Sequence, residues 1–453
     1  MYIIIVGQGK YGLTLTENLS NDGHDIVVID RISEVVSSVV DQFDVMGICG
    51  NGSTVEILEE AGAAKANVLI ACTDSDEMNI LCCMFAKNLG TANTVARVRN
   101  PDYAKQYNFL RKKIGINLTV NPEFETAKEI SSLIRFPSVA SLDSFAEGKV
   151  EMARVTIHSD SPLCDTLISN VRKNIRANVL ICAVQRGNTV TIPDGNFQLK
   201  CDDSISITGK RSELSSFLRK AKLYKHRINN VMIIGGGKIG FYLSELLSDT
   251  DRNITLIDSN LNRCEELTNE LSDVTVVYGD GTDQDVLDEQ GIDNQDALVA
   301  LTGIDEENII VSLYAESKNV EKVIAKVDRH SYSILGDIGL ETLVSPQNVA
   351  GALVTKYVRA LGNSEDKPEI VTLYKLLGNK IEAVEFSIPQ KWPEIGKTFK
   401  ELEFRPNLLV GCIIRGGKII FPGGDDCFKG GDSVVIVNSG KSLKSLSDIF
   451  KVG

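Results

Sequence analysis

The sequence is poor in the residues that most often mark catalytic, metal-binding or membrane-spanning function. It has four histidines and one tryptophan among 453 residues, and none of its apolar runs approaches the ~20 residues that a membrane span needs. Its ten cysteines form no CxxC pair, and several lie in apolar runs, where cysteine acts as a small hydrophobic residue. We therefore expect a reduced, cytosolic protein with no zinc site and no disulfide scaffold.

A surplus of basic charge is also missing. Lys and Arg number 48 against 61 Asp and Glu, a formal net charge of -13, which argues against binding to nucleic acid and against a broad basic membrane surface. Residues 218–227 form a basic stretch, for which a solvated linker helix is favoured over a contact with acidic headgroups or an acidic partner. The N-terminal run 1–7 has no basic segment, so it predicts a strand and not a signal peptide.

Hydrophobic residues make up 43% of the chain and charged residues 24%, an ordinary globular composition. The length allows about three domains, and a repeat organises them. A segment of about 229 residues occurs twice, and we call its copies the first and the second repeat. Its matching parts are residues 7–12 and 235–240, Asp30 and Asp258, 50–53 and 279–282, Thr73 and Thr302, and Arg97 and Lys326.

Each repeat begins with short apolar runs that alternate with helical patterns, which is the signature of a parallel sheet built from βαβ units. In the first repeat the predicted strands are 2–6, 26–30, 45–48, 68–72, 94–98 and 117–120, and the predicted helices are 10–20, 54–61, 77–89 and 101–112. Further helices are predicted at 123–135 and 347–361. A βαββ-like segment follows, with strands at 150–157, 179–185 and 204–208, a helix near 162–172 and a turn at 193–195. The second repeat copies this segment over about 380–437.

The predicted fold is therefore α/β, with two Rossmann-like, doubly wound parallel-sheet domains, each followed by a small α+β domain. We expect the Rossmann-like domains at 1–123 and 228–348 and the small domains at 144–227 and 368–453, with 362–368 as a polar linker.

A GxGxxG motif opens each repeat in the setting that a dinucleotide site requires: it follows a strand, begins a helix and precedes an acidic residue at the end of the next strand. In the first repeat Gly7 permits the tight turn, Gly9 lets a pyrophosphate approach, and Gly12 lets the helix pack on the sheet. Asp30 would accept ribose hydroxyls and repel a 2′-phosphate, which favours NAD-type or adenosine nucleotides over NADP. The alternative is a glycine turn without a ligand, and it retains more weight in the second repeat.

Ligands of such sheets bind outside the carboxyl ends of the strands, and this rule completes the candidate set. Arg97 and Lys326 either meet a phosphate or pair with an acidic neighbour, and Arg31 has no counterpart because Ser259 stands at its place. The candidates of the first repeat are Gly7, Gln8, Gly9, Lys10, Tyr11, Gly12, Asp30, Arg31, Asn51, Thr73, Asp74 and Arg97. Those of the second repeat are Gly235, Gly236, Gly237, Lys238, Ile239, Gly240, Asp258, Asp280, Thr302 and Lys326.

A catalytic constellation is not evident in the sequence, and we predict no catalytic residue and no metal site. His330 could approach the crevice, but Pro101 stands at its place in the first repeat. Tyr314 and Lys318 match the YxxxK pair of short-chain dehydrogenases, although a surface helix explains them better. An NAD-dependent oxidoreductase with tandem Rossmann domains stays open as the alternative function.

The doubled architecture resembles tandem RCK domains, the regulators of K⁺ conductance. The resemblance lies in residues 7–12 with Asp30, in 50–53, 61–63, 66–73 and 76–79, and in 279–282 and 302–308, and it extends over the whole chain. Asn51 departs from the family, which usually has Asp there, so a carboxylate role at that position is in doubt.

The resemblance implies a non-enzymatic sensor that binds NAD(H), with ATP or ADP as alternative occupants. It implies a homo-oligomeric ring, expected to be a tetramer, on the cytosolic face of the cell membrane. Its partner would be the integral-membrane potassium channel subunit of a Trk-type uptake system, which the ring would gate by changing shape.

Overall fold

The computed structural model describes residues 1–100, 103, 114–135, 139, 141–145, 150–187, 189–223, 228–248, 252–328, 340, 342–361, 370–376, 381–439, 443 and 445–450. The chain divides into two compact units. The first comprises Met1–Ser131, Asn230–Tyr332 and Leu343–Val358, and the second comprises Ser132–Asn229, Ser333–Thr342 and Arg359–Gly453. Each unit therefore combines equivalent parts of both repeats.

The first repeat contributes a parallel sheet to the first unit and an antiparallel sheet to the second. Its elements are β1 (Tyr2–Val6), α1 (Lys10–Asn21), β2 (Asp25–Asp30), α2 (Ser33–Gln42), β3 (Met46–Cys49), α3 (Val55–Glu60), β4 (Val68–Ala71), α4 (Asp76–Leu89), β5 (Asn93–Arg97), β6 (Leu118–Val120), α5 (Pro122–Arg135), β7 (Ser141–Phe145), β8 (Val150–Thr156), α6 (Ile168–Ile175), β9 (Val179–Arg186), β10 (Thr189–Thr191), β11 (Ser204–Gly209) and α7 (Arg211–Lys220).

The second repeat contributes the same two kinds of sheet. Its elements are β12 (Asn230–Ile234), α8 (Lys238–Ser248), β13 (Asn253–Asp258), α9 (Leu261–Glu270), β14 (Val274–Tyr278), α10 (Gln284–Glu289), β15 (Ala297–Ala300), α11 (Asp305–Ser317), β16 (Lys322–Lys326), β17 (Leu343–Val344), α12 (Pro346–Leu361), β18 (Ile370–Leu376), β19 (Ile381–Ser387), β20 (Leu408–Arg415), β21 (Lys418–Ile420) and β22 (Ser433–Asn438).

The parallel sheets of the first unit share one topology. Their strand orders are β3-β2-β1-β4-β5-β6 and β14-β13-β12-β15-β16-β17. The central strands β1 and β4 are buried apolar runs, as strands covered by helices on both faces must be. The order reverses between β1 and β4, and again between β12 and β15, so each sheet has the switch point at which ligands of doubly wound folds bind. The predicted fold class is confirmed.

The antiparallel sheets of the second unit also repeat one another, with orders β10-β9-β11-β8-β7 and β18-β19-β22-β20-β21. They bury an apolar core to which both contribute, including Met152 and Cys182 from one and Cys412 and Val435 from the other. In each small domain an arginine bonds a buried aspartate through two nitrogens, Arg186 with Asp203 and Arg415 with Asp432, at 2.7–2.8 Å.

Several elements differ from the sequence-based expectation. Helix α6 begins at Ile168 and not near 162, and the described residues 388–407 of the second repeat contain no helix at its place. Helices α2 and α7 and strands β7, β10, β18 and β21 were not predicted. The helix expected at 101–112, the linker at 362–368 and His330 lie outside the described residues, apart from the helical Tyr103.

The cysteines are free in the described part of the chain except for one pair. Cys164 and Cys201 form a disulfide, whereas the other eight are unpaired. This one pair departs from the reduced state that the sequence predicted for the chain. Among the described residues, no helix has both the length and the apolar character of a membrane span.

Candidate functional site

The glycine motifs form the tight strand-to-helix turns that their spacing predicts. Gly7 and Gly235 have φ values of +93° and +104°, a region that residues with a Cβ rarely adopt. A Cβ on Gly12 would lie 1.9 Å from the carbonyl oxygen of Gly7, and one on Gly240 would lie 2.2 Å from that of Gly235. These four glycines are needed by the turn itself.

The middle glycine of each motif is different, because the turn does not need it. Gly9 has an ordinary φ of -66°, and a Cβ built on Gly9 or on Gly237 would meet no atom within 4 Å. Glycine at these positions keeps a space free beside the start of a helix, where backbone N–H groups are available to an anion.

The acidic residue after the second strand fixes its glycine loop in both repeats. Asp30 Oδ2 accepts a hydrogen bond from the backbone N–H of Gln8 at 2.7 Å, and Asp258 Oδ2 accepts one from Gly236 at 2.6 Å. The other oxygen accepts from Ile32 or Asn260, respectively. A carboxylate offers about four acceptor positions, so each retains capacity for ligand hydroxyls.

A cavity of about 1010 Å³ lies in the first compact unit and is lined by both repeats. Its lining brings together most of the predicted candidates. From the first repeat these are Gly7, Gln8, Gly9, Lys10, Tyr11, Asp30, Arg31, Asn51, Thr73, Asp74 and Arg97, and from the second Gly237, Lys238, Ile239, Gly240, Thr302 and Lys326. The other candidates, Gly12, Gly235, Gly236, Asp258 and Asp280, are not among the described residues that line it.

The first-repeat side of the cavity carries two arginines in different settings. Arg31 donates to Asn51 Oδ1 at 2.8 Å, and the same oxygen accepts from the Ser53 hydroxyl. Arg97 lies 3.7 Å from both Asp74 and Glu123, and its buried Nε has no hydrogen-bond partner within the described structure. Arg97 is thus near acidic neighbours but incompletely bonded, so both interpretations of it stay open.

Contacts between the repeats hold the two sides of the cavity together. Lys10 pairs with Asp328 at 3.1 Å, and Lys326 lies 3.9 Å from the same carboxylate. The Tyr11 hydroxyl donates to the Ala350 carbonyl oxygen, and the Tyr242 hydroxyl donates to that of Arg99, each at 3.3 Å. Helix α1 is thereby tied to α12, and α8 to the segment that follows β5.

Burial and charge fix the protonation states of several groups here. Burial acts to raise the pKa of Asp328, but Lys326 and Lys10 outweigh it, and the net pKa is lowered. Burial raises the pKa of Tyr11 well above its usual value and that of the Cys72 thiol to about 12. Both groups are therefore protonated and neutral near pH 7.

The buried amide of Asn79 fastens the strand ends that border the cavity. Its oxygen accepts from the N–H and the hydroxyl of Thr73, and its nitrogen donates to the carbonyl oxygens of Thr73 and Arg97. Asn308 bonds the N–H and carbonyl of Thr302 and the carbonyl of Lys326 in the same way. The recurrence of these asparagines therefore has a structural cause.

The described cavity lining includes carboxylates, lysines and a tyrosine that could exchange protons, such as Glu123, Lys238 and Tyr11. The described lining residues include no histidine, and the neutral Cys72 is a poor nucleophile. Tyr314 and Lys318 lie outside the lining, where both contact Asp288 on the surface, so the surface-helix interpretation of the YxxxK match is confirmed. The described residues also include no group of three or more metal-ligating side chains.

The predicted candidates left out several lining residues, among them the polar Glu123, Asp328 and Gln347. Glu123 and Gln347 follow the recurring prolines Pro122 and Pro346, and this recurrence was the available signal. Asp328 stands where the first repeat has Arg99, and this change of charge between the repeats was the signal that the sequence carried for it.

Comparisons with known proteins match both the repeat and its parts. The TrkA-N domain family matches residues 3–122 and 231–346, and the TrkA-C domain family matches 152–222. The chain is 31% identical to "Trk system potassium uptake protein TrkA homolog 1" of Methanosarcina mazei, over the full length of both. It is 30% identical to "Trk system potassium uptake protein TrkA" of Vibrio alginolyticus, covering 99% of this chain and 98% of the relative.

Solved structures show the same fold. The GsuK RCK domain superposes with a TM-score of 0.63 at 19% identity, covering 97% of this chain and 92% of the other. The GsuK channel bound to NAD superposes with a TM-score of 0.62 at 20% identity, covering 97% of this chain and 77% of the channel chain.

Proposed function

The chain belongs to the TrkA family of Trk system potassium uptake proteins, and from this membership we propose that it is a nucleotide-binding regulatory subunit of a Trk-type potassium channel. The observation that carries the proposal is the cavity to which both glycine motifs open. The GsuK channel, which has the same fold, is known bound to NAD. We propose NAD(H) as the ligand, with ATP or ADP as alternative occupants.

The first repeat supplies most of the site. Asp30 would accept the ribose hydroxyls, while the open space at Gly9 and the start of α1 would receive the phosphates. Lys10 and Arg97 would neutralise phosphate charge, in exchange for their present contacts with Asp328 and Glu123. The remaining cavity-lining candidates, Gly7, Gln8, Tyr11, Arg31, Asn51, Thr73 and Asp74, would shape the same crevice. From the second repeat, Gly237, Lys238, Ile239, Gly240, Thr302 and Lys326 would border the ligand on its other side.

We assign the chain no catalytic role. Its relatives are named as potassium uptake proteins, which supports this assignment. Regulation by binding needs only that the ligand has different affinities for two conformations of the assembly.

The proposed setting is the cytosolic face of the cell membrane, where the chain would act as a homo-oligomer on the membrane-embedded subunit of a Trk-type system. The names of its relatives support the potassium-uptake partner. We propose the domain limits 1–123, 144–227, 228–348 and 368–453 within each subunit.

Calorimetric titration of the purified full-length chain with NADH, ATP and ADP tests the binding step. We expect saturable binding of at least one of the three, and no NADH oxidation when carbonyl compounds are added. Steady turnover that one side-chain change at the cavity abolishes would favour the oxidoreductase alternative, and absence of binding to all three would refute the sensor role.

A further inference from the structure

We propose that the chain binds one nucleotide, in the crevice of the first repeat, and that it closes the equivalent crevice of the second repeat with the side chain of Arg263. The inference rests on the proposed function and extends it, because it assigns the two glycine motifs different roles. Both motifs satisfy the same sequence pattern, so the difference lies in the residues around them.

Arg263 in the first turn of α9 is bonded to the second glycine loop. Its Nε donates to the carbonyl oxygen of Gly236 at 2.8 Å, and a terminal nitrogen pairs with Glu266 at 2.8 Å. The side chain is only 27% exposed. The guanidinium is therefore held against the second glycine loop. It bonds Gly236, the same residue whose N–H is bonded by Asp258 at the end of β13.

The equivalent position in the first repeat, 228 residues earlier, is Val35. Val35 lines the cavity, where it offers apolar surface of the kind on which an adenine packs. Arg263 is not among the described residues that line the cavity, and neither are Asp258 and Gly236, which form the loop it bonds. The position that borders the cavity as Val35 in the first repeat is thus occupied in the second repeat by an arginine bonded to its own glycine loop.

The second glycine loop also lies close to α9. A Cβ on Gly236 would lie 2.5 Å from Leu267 Cδ1 and 3.1 Å from Asp258 Oδ2. The first repeat has Gln8 at this place, and its side-chain amide turns inward to bond Ile5 and Thr16. The second loop therefore lies against α9, at the place where the first loop has a buried glutamine side chain.

The polar residues around the acidic residue also differ between the repeats. Beside Asp30 the first repeat has a cation, Arg31, bonded to the neutral Asn51. Beside Asp258 the second repeat has the neutral Ser259 and a second carboxylate, Asp280. Asp280 accepts hydrogen bonds from Thr282 alone and pairs with no cation among the described residues. The second repeat thus carries one more carboxylate than the first at this position, and its own cation, Arg263, is already bonded to Gly236 and Glu266.

The second glycine motif still contributes to nucleotide binding, because its last four residues border the first crevice. Residues 237–240 line the shared cavity, and Lys238 is exposed there with no ion pair within the described structure. The second repeat thus contributes a cation and a glycine loop to the ligand of the first.

Calorimetric titration of the full-length chain with NADH and with ADP tests the inference through stoichiometry. We expect one nucleotide per chain, binding weakened at least about tenfold in Asp30→Ala and unchanged stoichiometry in Asp258→Ala. The double variant Arg263→Val, Asp280→Asn should show a second binding event at saturating nucleotide. Arg263→Lys, which keeps the charge and a donor, should still bind one.

Two nucleotides per wild-type chain, or loss of half the sites in Asp258→Ala, would overturn the inference and leave the proposed function intact. A folded double variant that still binds one nucleotide would also overturn it, with circular dichroism as the check on folding. If that variant does not fold, the wild-type and Asp258→Ala stoichiometries decide. Absence of any binding by the wild type would refute the proposed function itself.

Discussion

Asp30 and Asp258 make nearly the same hydrogen bonds to their own loops, yet of the two only Asp30 borders the cavity. Replacing Asp30 by Ala removes acceptors for the ribose hydroxyls, and hydrogen bonds to a charged partner contribute about 1.5–3 kcal/mol. We expect nucleotide affinity to fall at least about tenfold in Asp30→Ala, measured by calorimetry. Asp258→Ala is the matched control and should leave the affinity unchanged. Equal losses in the two variants would contradict this assignment.

Gly9 is a position at which a substitution should weaken ligand binding without destabilising the fold. Its φ is ordinary, and a Cβ added there would have no atom within 4 Å. Gly9→Ala should therefore raise the free energy of unfolding slightly, by about 0.4–1 kcal/mol. The added methyl group enters the space kept for the phosphates, so nucleotide affinity should fall at least about tenfold, measured by calorimetry.

Gly12→Ala is the contrasting variant, because its Cβ would collide with the Gly7 carbonyl oxygen. It should lower the midpoint of thermal unfolding, whereas Gly9→Ala should not. Wild-type affinity in Gly9→Ala would mean that nothing binds beside this loop.

At the scale of elements, one buried asparagine joins α4 to the ends of β4 and β5. Asn79→Ala leaves the Thr73 N–H without its acceptor, and an unsatisfied buried group costs about 1–3 kcal/mol. We expect the free energy of unfolding to fall by at least about 2 kcal/mol, measured by urea denaturation. Asn88→Ala, on the exposed face of the same helix, is the control and should change it by less than about 0.5 kcal/mol. Similar losses in both would contradict a structural role for Asn79.

The link between α1 and the end of β16 should depend on pH. The pKa of Asp328 is lowered in the folded chain, so its ion pair with Lys10 stabilises the fold above the unfolded-state pKa of about 3.9. The stabilisation is lost as pH falls through the lower folded-state value. The difference in urea midpoint between wild type and Asp328→Asn should be constant from pH 7 to about 5 and shrink below about 4. A difference as large at pH 3 as at pH 7 would contradict this.

The elements that the sequence predicted well are those with a strong local pattern. The buried apolar runs of β1, β2 and β4 and the glycine turns needed no tertiary information. Helix α2 was missed because four of its ten residues are valine, a β-branched residue with low helix propensity. It is helical because it is the crossover between the parallel strands β2 and β3.

Other features could not be predicted because they depend on distant residues. The edge strand β7 is short and largely polar, so its pairing with β8 decides its structure. The cavity needs both repeats, and Asp328 becomes part of it only through Lys10, 318 residues away in the chain. The motif residues could be identified in advance, but the difference between the two repeats required the side chains of Arg263 and Val35 in place.

At the scale of the whole molecule, the duplication gives one chain two similar pairs of domains, each with one parallel and one antiparallel sheet. Closed homo-oligomers are the usual outcome when such subunits assemble, and we predict a homo-tetramer. Light scattering on the purified chain should give four times the 49.4 kDa subunit mass. A monomer at all concentrations, with and without nucleotide, would contradict the prediction.

Control of a channel requires that nucleotides distinguish two states of the assembly. Reversing a 1:99 bias to 99:1 takes about 5.5 kcal/mol, which four equivalent sites would share at about 1.4 kcal/mol each. A tenfold preference of each site for one state is therefore enough.

The central claim is that nucleotide binding at the first crevice controls potassium flux. The most direct test records currents through the cognate Trk-type channel in membranes with the wild-type chain or Gly9→Ala, under saturating NADH, ADP and ATP in turn. We predict that currents with the wild-type chain differ among the nucleotides by severalfold or more, whereas Gly9→Ala associates with the channel and gives the same current under all three. Identical currents with the wild-type chain under every nucleotide would contradict the account.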